Sequence, residues 1–420
     1  MTTPAATADD VNAPAPWRVA VPIFLGFAFA YFFAALLRAV MATLAPTFSA
    51  ELGLSAADLG LLAGAYFLGF AALQLPLGHA LDHYGPRRVL LSLMAVAVVG
   101  CAAFALATSL AGLIVARMLI GAGLAACLMA PLTCYRRLFS PAAQLRANSW
   151  MLMTGSLGML ASTLPTQWLL PSLGWRGLFW AVAAMLVVAA ALIYRLAPRD
   201  PVAPPSQAPA AAGYGQIVRH PLFQRLVPLG FIVYGGLIAI QALWAGPWLT
   251  RVAGWSANEA AGGLFVINLA MLFAFMAWGA LMPRLARHGF GALQLMRWGV
   301  PLCLCLLPVI VVLGGAAVAW HWALWCVAST FVSLSQPAVG LAFPPALAGR
   351  ALSAFNLVIF SGVFCLQWGI GLLIDVGISW GLSESRAFQL TFGVYWVACV
   401  AAYGWFMSNG RGAADNAGRK

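Results

Sequence analysis

Twelve times between residues 19 and 408 the chain runs through roughly twenty predominantly apolar residues before a turn signal, the length a helix needs to cross a bilayer. The runs cover 19–47, 56–79, 88–108, 110–137, 147–171, 176–195, 225–250, 257–282, 292–315, 321–345, 351–375 and 387–408. Composition agrees: 63% of the residues are hydrophobic and 8% charged, where soluble domains hold about 45–50% apolar and about 25% charged residues. A water-soluble globule and a disordered chain are both excluded. What is left is an all-α integral membrane protein with twelve transmembrane helices. The first run is too long for a signal-peptide core, so it is expected to stay as an anchor.

The longest polar break, Ala197 to Pro221, holds Pro198, Pro201, Pro204, Pro205 and Pro209 and reads as a linker between two sets of six runs. The expected organisation is a disordered cytoplasmic tail at 1–16, a six-helix bundle at 17–196, a cytoplasmic linker at 197–222, a second bundle at 223–408 and a cytoplasmic tail at 409–420. The net charge of +12 forms no dense patch, which argues against nucleic acid; it reports topology instead. Seventeen basic residues fall in the tails and even-numbered loops, against Arg176, Arg251 and Arg386 in the odd-numbered loops, which places both termini in the cytoplasm. Lys420 is the one lysine among the basic residues; with abundant Ala and Gly this points to a GC-rich bacterial genome, hence to a bacterial inner membrane. The eight cysteines lie in apolar stretches without Cys-x-x-Cys spacing and read as small buried hydrophobes.

The halves repeat. At an offset of 201, Pro46 falls on Pro247, Ser55 to Asp58 on Ser256 to Glu259, and Gly78 on Gly279; at 204, Arg146 to Ser149 falls on Arg350 to Ser353, and Gly158 on Gly362. Six spans return the chain to its starting side, so the repeats are parallel, as in carriers whose two bundles rock about a central cavity.

The loop after the second run reads Gly78-His79-Ala80-Leu81-Asp82-His83-Tyr84-Gly85-Pro86-Arg87-Arg88. It closely resembles the cytoplasmic signature of the major facilitator superfamily, at the place where that family carries it. The resemblance implies that Gly78 and Gly85 permit close helix approach and a tight turn, and that Asp82 with Arg87 and Arg88 forms an ionic latch between bundles that stabilises the outward-open state. Arg117 followed by Gly121 and Gly123 is similar to the family's fourth-span arginine and spaced glycines. The fifth run lacks the Gly-Pro of the drug antiporters. Arg38, followed by Ala45-Pro46 and Leu54 to Gly60, resembles the anion:cation symporter and organophosphate antiporter branches, which implies that Arg38 contacts a carboxylate or phosphate. Those symporters carry a glutamate after the fourth-span glycines; here Leu124 stands there.

Ionisable residues inside a span are costly and mark functional sites. Arg38 and Arg117 are the two cations well inside the runs, at about 12 Å and about 10 Å from the outer ends at 1.5 Å per residue. No carboxylate is expected equally deep, so an anionic ligand would complete the charge balance. Tyr31 shares a helical face with Arg38, and Tyr234 with Gln241, each at a spacing of seven. Tyr66, Asn268, Gln336 and Asn356 complete the candidate substrate-binding set. Asp58 and Asp375 are the candidates for ion coupling, although Asp58 and Glu259 each follow a Ser by three residues, the spacing of a helix cap.

No phosphate-cradling Gly-x-x-x-x-Gly-Lys-Ser/Thr, His-Glu-x-x-His or Gly-x-Ser-x-Gly occurs, so neither ATP-driven transport nor an enzyme is expected, and no cofactor or metal. The expected function is secondary active transport by alternating access: ion-coupled uptake of a small organic anion such as a carboxylate, by a symporter. Drug or metabolite efflux by proton antiport is the first alternative; a non-transporting solute sensor or membrane assembly factor is the second. The expected partners are a small-molecule substrate and the lipid bilayer, with the chain acting as a monomer.

Overall fold

The computed structural model describes residues 17–198 and 213–408, so the two tails and the middle of the linker lie outside the described residues. Within them the chain forms the twelve expected spans. The first runs from Trp17–Ala39 across a break at Val40 into Met41–Leu52, and the second joins Ala56–Ala72 to Gln74–Tyr84 across a bend of 42°. Pro86–Leu106 is the third, and Leu110–Leu124 with Met129–Leu138 the fourth. The fifth begins at Pro141–Ala161 and continues past Ser162 and Thr163 until Gly174, at φ 63°, turns the chain into the sixth, which ends at Leu196. The seventh, Pro221–Val252, contains three wide π-helical stretches, Leu229–Tyr234, Ile240–Trp244 and Trp248–Val252. Ala257–Arg287, Ala292–Leu313, Ala319–Ala342, Pro345–Ser379 and Glu384–Ser408 complete the set.

Several helices outrun the sequence estimate. The fifth starts at Pro141 rather than 147, because the Ser140 side chain accepts the Ala143 N–H and proline fits the first helical turn. That helix carries Gln144, Arg146, Asn148 and Ser149 in its first half, and its hydropathy alone would not mark it as a span. Among the cysteines, Cys305 and Cys365 are exposed rather than buried; the other six are buried as expected.

An even number of spans leaves Trp17 and Ser408 on one side, called here the near face; the opposite side is the far face. In the first bundle the first span packs on the fifth and sixth, the second on the fourth, and the third on the fourth and sixth. The second bundle repeats the plan, the seventh packing on the eleventh, the eighth on the tenth, and the ninth on the tenth and twelfth. The duplication shows in matching local chemistry. Ser55 with Asp58 and Ser256 with Glu259 form capping boxes at the starts of the second and eighth spans, each Ser oxygen accepting the acid residue's N–H and each carboxylate accepting the Ser N–H. Gly158 lets the fifth span lie against the Phe32 carbonyl of the first, and Gly362 lets the eleventh lie against the Phe231 carbonyl of the seventh. In hydrocarbon, small residues of this kind allow close backbone contact where the hydrophobic effect gives no drive to associate.

Candidate functional site

The two bundles close on each other at the far face. The broadest seam is between the second and eleventh spans, where a Cβ on Gly60 would overlap the Gln367 carbonyl and one on Gly371 would overlap that of Ala56. Gly64 lies against Phe364 in the same seam, and Gly246 of the seventh span against the Ala42 carbonyl of the first. At the outer end of the seam, the Asp375 carboxylate accepts the Ala56 and Ala57 N–H groups at 3.1 and 2.8 Å. A carboxylate on the eleventh span thus caps the positive start of the second, tying one half to the other. Arg251 adds a second tie, donating to Ser49 of the first bundle and pairing with Glu384 at 3.0 Å. Glu51 is held inside the first bundle by Arg176 at 2.7 Å and by the Trp175 indole at 2.8 Å.

Midway through the protein both bundles contribute to one polar cluster. Arg38 is half-buried two residues before the break at Val40 in the first span, its Nη2 facing the Met159 sulfur at 3.6 Å, near Tyr66 and near Tyr234 of the other bundle. Tyr31 lies beside them, its ring filling the space Gly155 leaves open. Tyr234 donates to Gln336 Oε1 at 3.4 Å, and Gln336 donates to Asn356 Oδ1 at 2.6 Å, linking the seventh, tenth and eleventh spans.

Arg117 is fully buried behind this cluster. Its Nη1 donates to the Leu37 carbonyl at 3.0 Å and its guanidinium lies 5.1 Å from the Tyr66 ring centre, while Nε and Nη2 have no hydrogen-bond partner. Leu37 is in the last turn before the break at Val40, where helix carbonyls lose their usual donors. Arg117 therefore fixes the backbone that carries Arg38.

On the near face the halves diverge around a cavity of about 470 Å³. Its wall includes Gln74 and Gly78 of the second span, Thr133 and Arg136 of the fourth, and Arg350 and Ser353 of the eleventh. The cavity lies below the Arg38 cluster: Asn356 is about 4.5 Å further along the eleventh span than Ser353, at 1.5 Å per residue.

The structure gathers Arg38, Tyr31, Tyr66, Tyr234, Gln336 and Asn356, but turns other candidates away. Gln241 and Asn268 are buried and bond each other at 3.0 Å, a clamp between the seventh and eighth spans. Asp58 serves its helix cap. Gly85, at φ 86°, makes the tight turn and starts the third span, with Pro86 in its first turn. Arg87 donates to the Tyr194 carbonyl and stacks on that ring at 4.8 Å, so its described contacts tie it to the sixth span rather than to the other bundle. The Asp82 side chain lies outside the described residues, and Arg88 is exposed. Sequence reasoning missed the seam of Gly60 and Gly64, whose signal was the four-residue spacing of small residues. Met159 and Gln74 carried no signal.

The sequence pattern of the Major Facilitator Superfamily matches residues 27–366, and the chain belongs to that family. It is a multi-pass membrane transporter and not an enzyme. A maltose permease of Geobacillus stearothermophilus is 27% identical over 238 residues, a stretch that takes in 52% of this chain and 56% of that protein. A bacterial homolog of the human lysosomal transporter Spinster, solved in an inward-facing and unoccupied conformation, has the same fold with a TM-score of 0.73 at 17% identity, over 94% of this chain and 98% of that one. A D-xylose-proton symporter gives 0.70 at 16%, covering 92% and 97%, and the nucleoside transporter NupG 0.73 at 12%, covering 92% and 98%.

Proposed function

We propose that the protein takes up a small organic anion such as a carboxylate by alternating access, with Arg38 as the anchor. One observation carries this reading. Every carboxylate whose side chain is described is already engaged toward the far face: Glu51 with Arg176, Asp58 and Glu259 in caps, Asp375 on the second span, Glu384 with Arg251. None is left to balance Arg38 and Arg117, and an uncompensated buried cation is expensive in a membrane. A bound anion supplies the balance. Sugar and nucleoside transporters share the fold, so fold alone does not choose the substrate; the charge at the centre supports an anion.

In this reading the near face is the cytoplasm of a bacterial inner membrane, both termini lie there, and the state described is inward-open, like that of the Spinster homolog. The bundles at 17–196 and 223–408 swing about the Arg38 cluster, and one chain supplies the whole pathway as a monomer. Asp375 is the coupling candidate, because it bridges the halves and can respond to ions at the far face; the Asp58 cap lies outside the pathway. The signature residues Gly78, Asp82, Gly85, Arg87 and Arg88 act in the opposite state, when the near face closes.

The test is uptake of labelled mono- and dicarboxylates into proteoliposomes under separately imposed pH gradient and membrane potential. Saturable uptake that Arg38→Gln removes supports the proposal; carboxylate flux that is absent, or unchanged by that substitution, overturns it.

Arg117 acts through Arg38. Arg117→Leu is expected to raise the KM for the anion about tenfold, equivalent to roughly 1.4 kcal/mol, with kcat changed less and with Arg117→Lys partly restoring it. An equal fall in folded protein and in maximal rate at constant KM would instead mark a purely structural role.

A further inference from the structure

The near-face cavity has a chemistry of its own. His79 and His83 of the second span line it, their rings stacked 5.8 Å apart at 8°, together with Arg136 of the fourth, Gln144 of the fifth, and Arg350 and Ser353 of the eleventh. Two guanidiniums and two imidazoles therefore converge with amide and hydroxyl groups from four spans, and among the described residues no carboxylate lines the cavity. Arg136 and His79 are exposed, yet with His83 and Arg350 they line one concave space of about 470 Å³ rather than separate loops.

We propose that this cavity is a second anion site, for a multiply charged oxyanion of the phosphate or polycarboxylate class. Planar guanidiniums match such oxygens with paired hydrogen bonds, and the imidazoles and hydroxyl complete the shell. Its charged groups are set apart from the Arg38 cluster: Arg350 lies six residues before Asn356, about 9 Å along the helix, and His79 thirteen residues beyond Tyr66, about 20 Å, with Ser353 the member nearest Asn356 at about 4.5 Å. His79, His83, Arg136 and Gln144 belong to the first bundle and Arg350 and Ser353 to the second, so a bound oxyanion links both halves. Occupancy brakes the carrier by stabilising the state in which the cavity exists. The proposal does not depend on the transported solute.

Pyrophosphate is the probe, titrated by calorimetry onto the full chain in nanodiscs of uncharged lipid. One saturable site is expected. Arg136→Gln, and separately the double substitution His79→Gln with His83→Gln, weaken it about tenfold or more, as expected for lost charge-assisted bonds, while Arg38→Gln leaves it within about twofold. The two sets of variants give independent readings should one fail to fold. A headgroup and a free anion share this chemistry. If adding cardiolipin, whose headgroup carries two phosphates, to the discs displaces pyrophosphate and the displacement needs Arg136, the occupant is a lipid headgroup; without displacement it is a free anion. Absence of saturable binding, binding untouched by both sets of variants, or binding lost with Arg38→Gln alone overturns the proposal.

Discussion

Gly60→Val is expected to stop transport by preventing the far face from closing. Gly60 faces the Gln367 carbonyl so closely that even a methyl group would overlap it, and the neighbouring obstacles are backbone atoms of the eleventh span that cannot rotate away. The second and eleventh spans must then part. Overpacking of this kind costs about 1–3 kcal/mol, and laid on one side of a two-state equilibrium it shifts the populations about 5–150-fold. The Ala56 and Ala57 amides, which donate to Asp375 when the face is closed, give the readout. In the variant they should exchange with solvent faster by the same factor, and the turnover rate should fall with the closed population. Asp375→Ala should speed their exchange without the steric block, leaving measurable turnover. Protected amides and normal turnover in Gly60→Val would show that the seam is not a gate.

Arg38→Ala is expected to lower anion uptake roughly a hundredfold or more. Charge-assisted hydrogen bonds to a buried ion contribute about 1.5–3 kcal/mol each, and a carboxylate on a guanidinium makes two. Arg38→Lys keeps a charge but loses the planar fork, so it should fall between wild type and Ala. The measurement is the initial rate of counterflow, with the protein loaded on both sides so that the driving ion does not enter. A counterflow rate equal to wild type in Arg38→Ala would remove Arg38 from the substrate path. The Arg117 variants give a useful contrast, because they leave the Arg38 side chain in place and disturb only its backbone support.

Much of this architecture was legible in the residues. The spans, the duplication and the family follow from apolar run length, from paired Ser, Asp and Glu positions and from the Gly78 to Arg88 loop, and both capping boxes sit where the repeat put them. Arg38 and Tyr31 could be paired because a spacing of seven places two residues on one helical face. The remaining polar residues could not be sorted. Spans in lipid are apolar nearly all round, so no polar stripe separates a residue facing the pathway from one facing a neighbour. Gln241 and Asn268 illustrate this: each looked available, and each satisfies the other. The wide turns of the seventh span were invisible for a related reason, since Pro228 and Pro247 mark irregularity without specifying its form. Arg117 matched Arg38 in depth, and a bond from it to a carbonyl at a broken helix could be anticipated, as it makes to Leu37; its place behind Tyr66 depends on which way the fourth span is rotated, which sequence spacing did not fix.

The contact between Asp375 and the start of the second span has a further consequence. A helix end capped by its own neighbouring residue keeps that cap throughout a cycle, as Ser55 does for Asp58. The two amides that rely on Asp375 do not: each opening strips them of their acceptor and leaves water to replace it. Hydration is therefore a reactant in the conformational step. Excluded osmolytes such as sucrose should slow the appearance of the open far face in proportion to the water activity they remove, linking turnover to the osmotic condition on that side of the membrane.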